Sequence, residues 1–141
     1  MGFPVKVVGA AVTVIASITS LGAVAFAQTD RAPATFSAAQ AQRGAAAYAD
    51  NCAACHGDHL DDGQFAAPLK GPTFTAHFGS GGLDGPFNIM LTQMPPSNPG
   101  SLGAAVYADV LAYILSENGV DTSATDLPAD ADRLKGMATP R

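Results

Sequence analysis

Cys52-Ala53-Ala54-Cys55-His56 places two thiols and an imidazole within five residues, and such a C-x-x-C-H run is the attachment signature of a c-type haem. The spacing follows from the chemistry. Each thiol adds across one vinyl group of the porphyrin to give a thioether, and two intervening residues let one turn of backbone span the vinyl separation. The histidine comes at once after the second thioether, so its imidazole is delivered under the iron as the proximal ligand. Cys52, Cys55 and His56 are therefore candidate cofactor-binding residues, His56 is the first metal ligand, and one covalently attached haem c is the expected cofactor.

Other uses of paired cysteines fit less well. A thioredoxin-like pair wants a βαβ context, and a zinc site wants two further ligands, whereas the chain has two cysteines in all. A disulfide between Cys52 and Cys55 would close a tight loop of little stabilising value.

A six-coordinate electron carrier needs a second axial ligand, and a methionine there raises the potential relative to histidine. The candidates are Met90, Met94, Met137, His59 and His77. Met94 stands directly before Pro95-Pro96, in a loop between two helical patterns, where the prolines restrict the backbone and remove two amide donors. That suits holding a weakly bound thioether in place, and Met94 is the preferred second metal ligand. Met90, four residues earlier, reads as core filling. Met137 lies beyond the closing helix. His59 follows His56 too closely to reach the opposite face of the ring, and His77 could do so only if the middle loop folded over it.

Several elements must position these groups. Ser37-Ala38-Ala39-Gln40 fits a capping box, with Ser37 capping the first turn and Gln40 reaching back to it. The alanine-rich run to Asp50 reads as helix, interrupted by Gly44, which at mid-helix marks a close backbone approach. A second helix runs from a Ser101 cap through Glu117, with Val106, Val110, Tyr113 and Ile114 on one stripe and Gly119 as the C-terminal cap. A shorter helix covers Pro86 to Gln93. Gly57 to Gly85 is dense in glycine and proline and reads as irregular, an unusual length of loop unless a cofactor organises it.

The first 27 residues carry Lys6, an uncharged run from Val7 and Ala25-Phe26-Ala27, the pattern of a cleaved export signal rather than a retained anchor. Export to the periplasm is the expected localisation, and a membrane would be met only through partners or a kept leader. Residues 28–36 read as a linker, 37–120 as the haem domain, and the polar, proline-containing stretch 121–141 as a loosely packed tail. After residue 27 the chain holds six basic and all twelve acidic residues, a balance that disfavours nucleic acid as a partner and steers toward basic surfaces.

With these motifs in order, the chain resembles a class I, mono-haem cytochrome c over roughly Ser37 to Gly119. The carrying matches are the Cys52–His56 run, Ala67-Pro68-Leu69 after it, and Met94-Pro95-Pro96 before the closing helix. The resemblance implies an all-α fold, three to five helices with long loops wrapped around one haem. It implies that the Pro68 carbonyl accepts the N–H of the proximal imidazole, which makes Pro68 a further cofactor-site residue. It also implies that Gly44 and Tyr48 meet Val110 and Tyr113 where the first and last helices cross. Pro99-Gly100-Ser101-Leu102 and the 107–113 run are similar to cytochrome c subunits that serve periplasmic quinoprotein alcohol dehydrogenases. The chain departs from mitochondrial carriers in lacking a lysine-rich face beside the attachment run. It has no tryptophan to bond a propionate, for which Thr73, Thr75, Ser97 and Asn98 are the available donors.

The expected function is single-electron transfer, not catalysis, between a dehydrogenase or quinol-oxidising complex and an oxidase or other acceptor. The alternative is a haem peroxidase or gas sensor with an open or labile sixth site, which would require that Met94 not ligate and that a group such as His77 reach bound peroxide.

Overall fold

In the computed structural model, which describes residues 1–2 and 31–140, helix formation begins where Ser37 Oγ accepts the Gln40 N–H at 3.0 Å. That cap satisfies one of the orphan amides of the first turn of α1, Ala38–Asn51. Five further helical segments follow: α2 (Ala53–His56), α3 (Gly71–Phe78), α4 (Asp84–Gln93), α5 (Ala104–Glu117) and α6 (Ala131–Lys135). Among the described residues there are no strands, only three isolated bridges. The all-α architecture expected is present, with six helical segments among the described residues, of which α2 and α6 are single turns.

α1 and α5 pack directly on each other, and Gly44 is the reason they can. A Cβ at residue 44 would lie 1.8 Å from the Asp109 carbonyl oxygen and 3.0 Å from Cβ of Tyr113. One turn on, Tyr48 meets Tyr113 with ring centroids 5.4 Å apart. Arg43 secures the rim of the contact, donating from Nε and Nη2 to both Asp109 carboxylate oxygens at 2.9 and 3.0 Å.

α5 serves two cores at once. Tyr107, Leu111 and Leu115 pack with Phe36, Leu83, Phe87, Leu127 and Leu134, whereas Val110 and Ile114 pack with Tyr48, Leu60 and Phe74. The helix ends as Gly119 implied: the Gly119 N–H bonds to Ser116 and the Val120 N–H to the Leu115 carbonyl, a Schellman pattern. Its start differs from the Ser101 cap expected. Residues 100–103 close a turn of their own, with the Gly103 N–H on the Gly100 carbonyl, so the helix starts only at Ala104.

The middle stretch is less irregular than its composition indicates. Pro72 sits in the first turn of α3, where its missing amide costs nothing, and Phe74 buries itself in the second core.

The tail corrects the expectation of loose packing. Leu127 and Leu134 are buried in the main core, and Leu134 has no exposed surface. Gln40, 2% exposed, does not complete the capping box. Its amide turns to the tail, donating to the Leu127 carbonyl at 3.0 Å and accepting the Leu127 N–H at 2.6 Å. A buried amide needs both its donor and its acceptor satisfied, and an extended backbone residue offers the matching pair. Asp126 beside it accepts from Ser37 Oγ and from Arg43 Nη2. Farther on, residues 136–138 run between Ala32 and Leu83: Ala32 donates to Gly136, Ala138 to Ala32 and Leu83 to Met137.

Among the described residues no helix is long and apolar enough to cross a membrane. The export signal over residues 1–27 and the start of the linker lie outside the described residues, apart from Met1 and Gly2.

Candidate functional site

Cys52 is at once the C-cap of α1 and the N-cap of α2, so the attachment run is a continuation of the first helix by one more turn. The Cys52 N–H reaches the Tyr48 carbonyl, and the N–H groups of Cys55 and His56 both reach the Cys52 carbonyl at 3.1 and 3.0 Å. Both thiols are free of disulfide bonding. Cys55 is exposed and Cys52 half-buried. Burial, with the neighbouring Cys55 second, pushes the Cys52 thiol up to about 11.

His56 ends the turn, half-buried, with Nδ1 2.8 Å from the Ala67 carbonyl. A carbonyl can only accept, so Nδ1 carries the proton and Nε2 is left with the lone pair that a metal requires. The acceptor is the carbonyl of Ala67, one residue before the Pro68 expected. The physical reason is register: the Leu69 N–H is held by the Leu60 carbonyl at 2.7 Å, which leaves the Ala67 carbonyl as the one opposite the imidazole. Pro68 keeps a part as the residue whose ring restrains that peptide.

The loop between is drawn tightly against the attachment turn. A Cβ on Gly63 would stand 2.3 Å from both the Cys55 carbonyl oxygen and the His56 carbonyl carbon, so only glycine permits this approach. Tyr48 Oη donates to the Gly57 carbonyl at 2.8 Å, tying α1 to the end of α2, and burial pushes its phenol pKa up.

Met94 caps α4 in an extended conformation, half-buried, ahead of a cis Met94–Pro95 peptide. Its carbonyl accepts the Tyr107 Oη proton at 2.6 Å and the Gly100 N–H at 3.1 Å. Tyr107 was not singled out from the sequence as a site residue. The signal available was a phenol beside the α5 stripe, whose hydroxyl needs a partner when buried.

The other candidates are otherwise engaged. Met90 packs against both cores and Met137 against the main one, as apolar filling. The His77 ring, exposed, pairs its Nδ1 with the Thr73 carbonyl of its own helix at 2.9 Å. His59 is exposed and its backbone amide is held by Asp62. Thr73 and Thr75 lie on α3, and Ser97 and Asn98 in the turn after Met94.

Two free thiols on one turn, an imidazole with its proton held on Nδ1, and a methionine at a pinned helix end form a donor set that fits haem c. These residues could hold the porphyrin by two thioethers and supply ligands to its iron.

A match to a family model agrees with that fit. The family model described as Cytochrome C oxidase, cbb3-type, subunit III matches residues 39–114, over half of the chain. No curated protein matches. Among solved structures, the crystal structure of the sulfane dehydrogenase SoxCD from Paracoccus pantotrophus is similar at a TM-score of 0.49 and 24% identity, over 71% of this chain and 53% of that one. The present chain thus spans about half the length of that solved chain. The family match takes in α1, the attachment run, Met94 and most of α5, and by it the chain belongs to this cytochrome c domain family, all-α electron-transfer modules that carry haem c covalently.

Proposed function

We propose that this protein is an exported, mono-haem carrier of single electrons in the periplasm, taking them from a dehydrogenase or quinol-oxidising complex and passing them to an oxidase or other acceptor. The observation that carries the reading is the His56–Ala67 hydrogen bond, which leaves Nε2 available to a metal beside the Cys52 and Cys55 thiols. Cys52 and Cys55 would hold the haem through two thioethers, the S–H of each adding across one vinyl group. Bound there, the haem supplies a reversible one-electron couple at its iron.

The remaining work falls to the chain. His56 Nε2 and Met94 Sδ would be the two protein ligands to the haem iron, and with both bound no position would be left for a substrate. The Ala67 carbonyl orients the imidazole and raises its basicity. Tyr107 and Gly100 hold the Met94 backbone, which restrains the point from which its thioether extends. The acidic balance of the exported part, six basic against twelve acidic residues after residue 27, favours partners with basic surfaces.

The test is the absorption spectrum of the haem-loaded protein, oxidised and reduced, beside Met94→Ala. A weak far-red sulfur-to-iron band in the oxidised wild type, lost in the variant, is expected. A high-spin spectrum, or one unchanged by the substitution, would overturn the Met94 assignment and favour an open-site enzyme or sensor. The mass of protein recovered from the periplasm checks cleavage after Ala27.

A further inference from the structure

Phe65 leaves 83% of its surface in solvent, whereas Phe36, Phe74 and Phe87 are buried. Among the described residues no other large apolar side chain is so exposed apart from the terminal Met1. An exposed phenylalanine is ordinary on a loose loop, but this loop is held on both sides of the ring. Two residues before it, Gly63 packs on the backbone of Cys55 and His56, and two residues after it the Ala67 carbonyl bonds His56. Leu69 then bonds Leu60. The ring is therefore presented from a held backbone beside the exposed Cys55, and with the backbone already ordered little but side-chain freedom is lost when something covers it.

The surroundings select the cover. Between Gly44 and Leu69 the chain carries Asp50, Asp58, Asp61 and Asp62 and neither lysine nor arginine. All four aspartates are exposed, and the next cation, Lys70, is paired with Glu117 at 2.8 Å. An exposed ring on an acidic segment of chain is matched by an apolar hollow with a basic margin.

We propose that Phe65 is the apolar anchor of the surface on which a redox protein docks, and that this protein presents an apolar hollow rimmed by lysine or arginine. The proposal rests on the electron-carrier reading and adds to it the place and chemistry of the contact.

The experiment uses the full haem-loaded chain at gold electrodes coated with mixed ammonium- and methyl-terminated monolayers, and at carboxylate-terminated ones for comparison. Wild type is expected to exchange electrons faster at the mixed surface. Phe65→Ser is expected to slow that exchange about tenfold, with midpoint potential and spectrum unchanged. Asp58→Asn, Asp61→Asn and Asp62→Asn together are expected to slow it and remove its dependence on ionic strength. An unchanged rate in Phe65→Ser would overturn the proposal, and so would a shifted midpoint or spectrum, which would place the ring against the porphyrin instead. A wild type with no attached haem and no voltammetric wave would overturn the carrier reading itself, an outcome distinct from the other two.

Discussion

Tyr107 Oη lies 2.6 Å from the Met94 carbonyl oxygen, so a buried phenol of α5 fixes the backbone of the residue that stands at the end of α4. The contact joins the best-packed helix of the domain to the candidate axial ligand. It gives α5 a part in placing the Met94 backbone as well as in the core. Tyr107→Phe keeps the ring and removes the donor, leaving the Gly100 amide as the remaining partner of that carbonyl. The expected loss is about 1 kcal/mol in urea unfolding. Faster binding of added imidazole by the oxidised haem protein is the second readout, and it reports on the ligand where unfolding reports on the fold.

Gly44→Ala separates a packing glycine from an exposed one. At an exposed helix position alanine would stabilise by about 1 kcal/mol. Here a Cβ meets the Asp109 carbonyl oxygen at 1.8 Å, so the substitution is expected to destabilise by about 3 kcal/mol. The midpoint of thermal or urea unfolding gives the sign directly.

Leu134→Ala tests the tail. A side chain in a frayed segment would change stability by less than about 0.5 kcal/mol. Leu134 is fully buried against Leu83 and its neighbours in the main core, and the expected cost is about 3 kcal/mol.

Asp126 supplies a pH dependence. The hydrogen bond from Ser37, and then that from Arg43, hold its carboxyl below the ordinary value of 3.8. A depressed carboxylate contributes stability that is present above the unfolded value and is lost as pH falls through the folded one. Wild type is therefore expected to lose stability below pH 3.8 partly through this group. Asp126→Asn should be less stable than wild type at neutral pH, with the gap closing at the acid end. Because the pair is exposed, added salt should narrow the gap at neutral pH. Acid titrations of both proteins followed by circular dichroism read this out.

What could be read from the sequence was what local patterns encode. The attachment run, the close approach at Gly44, the α5 stripe and the Gly119 cap each depend on residues within a few positions of one another, or on a residue type with a narrow range of uses. Partners chosen at long range were not legible. Gln40 has a capping partner three residues away and uses one 87 residues away, because burial made the two-sided pairing with Leu127 the better match. Pro68 has the right spacing from His56, yet the carbonyl presented is that of Ala67, since the register depends on the Leu69–Leu60 bond. α3 was hidden by the glycines and prolines around it, although Pro72 is a good first-turn residue. The polar composition of the tail concealed Leu127 and Leu134, two apolar residues whose value depends on where the chain returns.

The pairing of Ala32 with residues 136–138 has a mechanical meaning. Strands of chain entering at residue 31 and leaving at residue 140 part from the domain at neighbouring points, much as both ends of a drawstring emerge from one eyelet. A tether on either side would therefore pull on the same corner, while the attachment turn, near the middle of the chain, would swing with the whole body. Reach and orientation of the redox surface would then depend on the length of the tether and little on which end carried it.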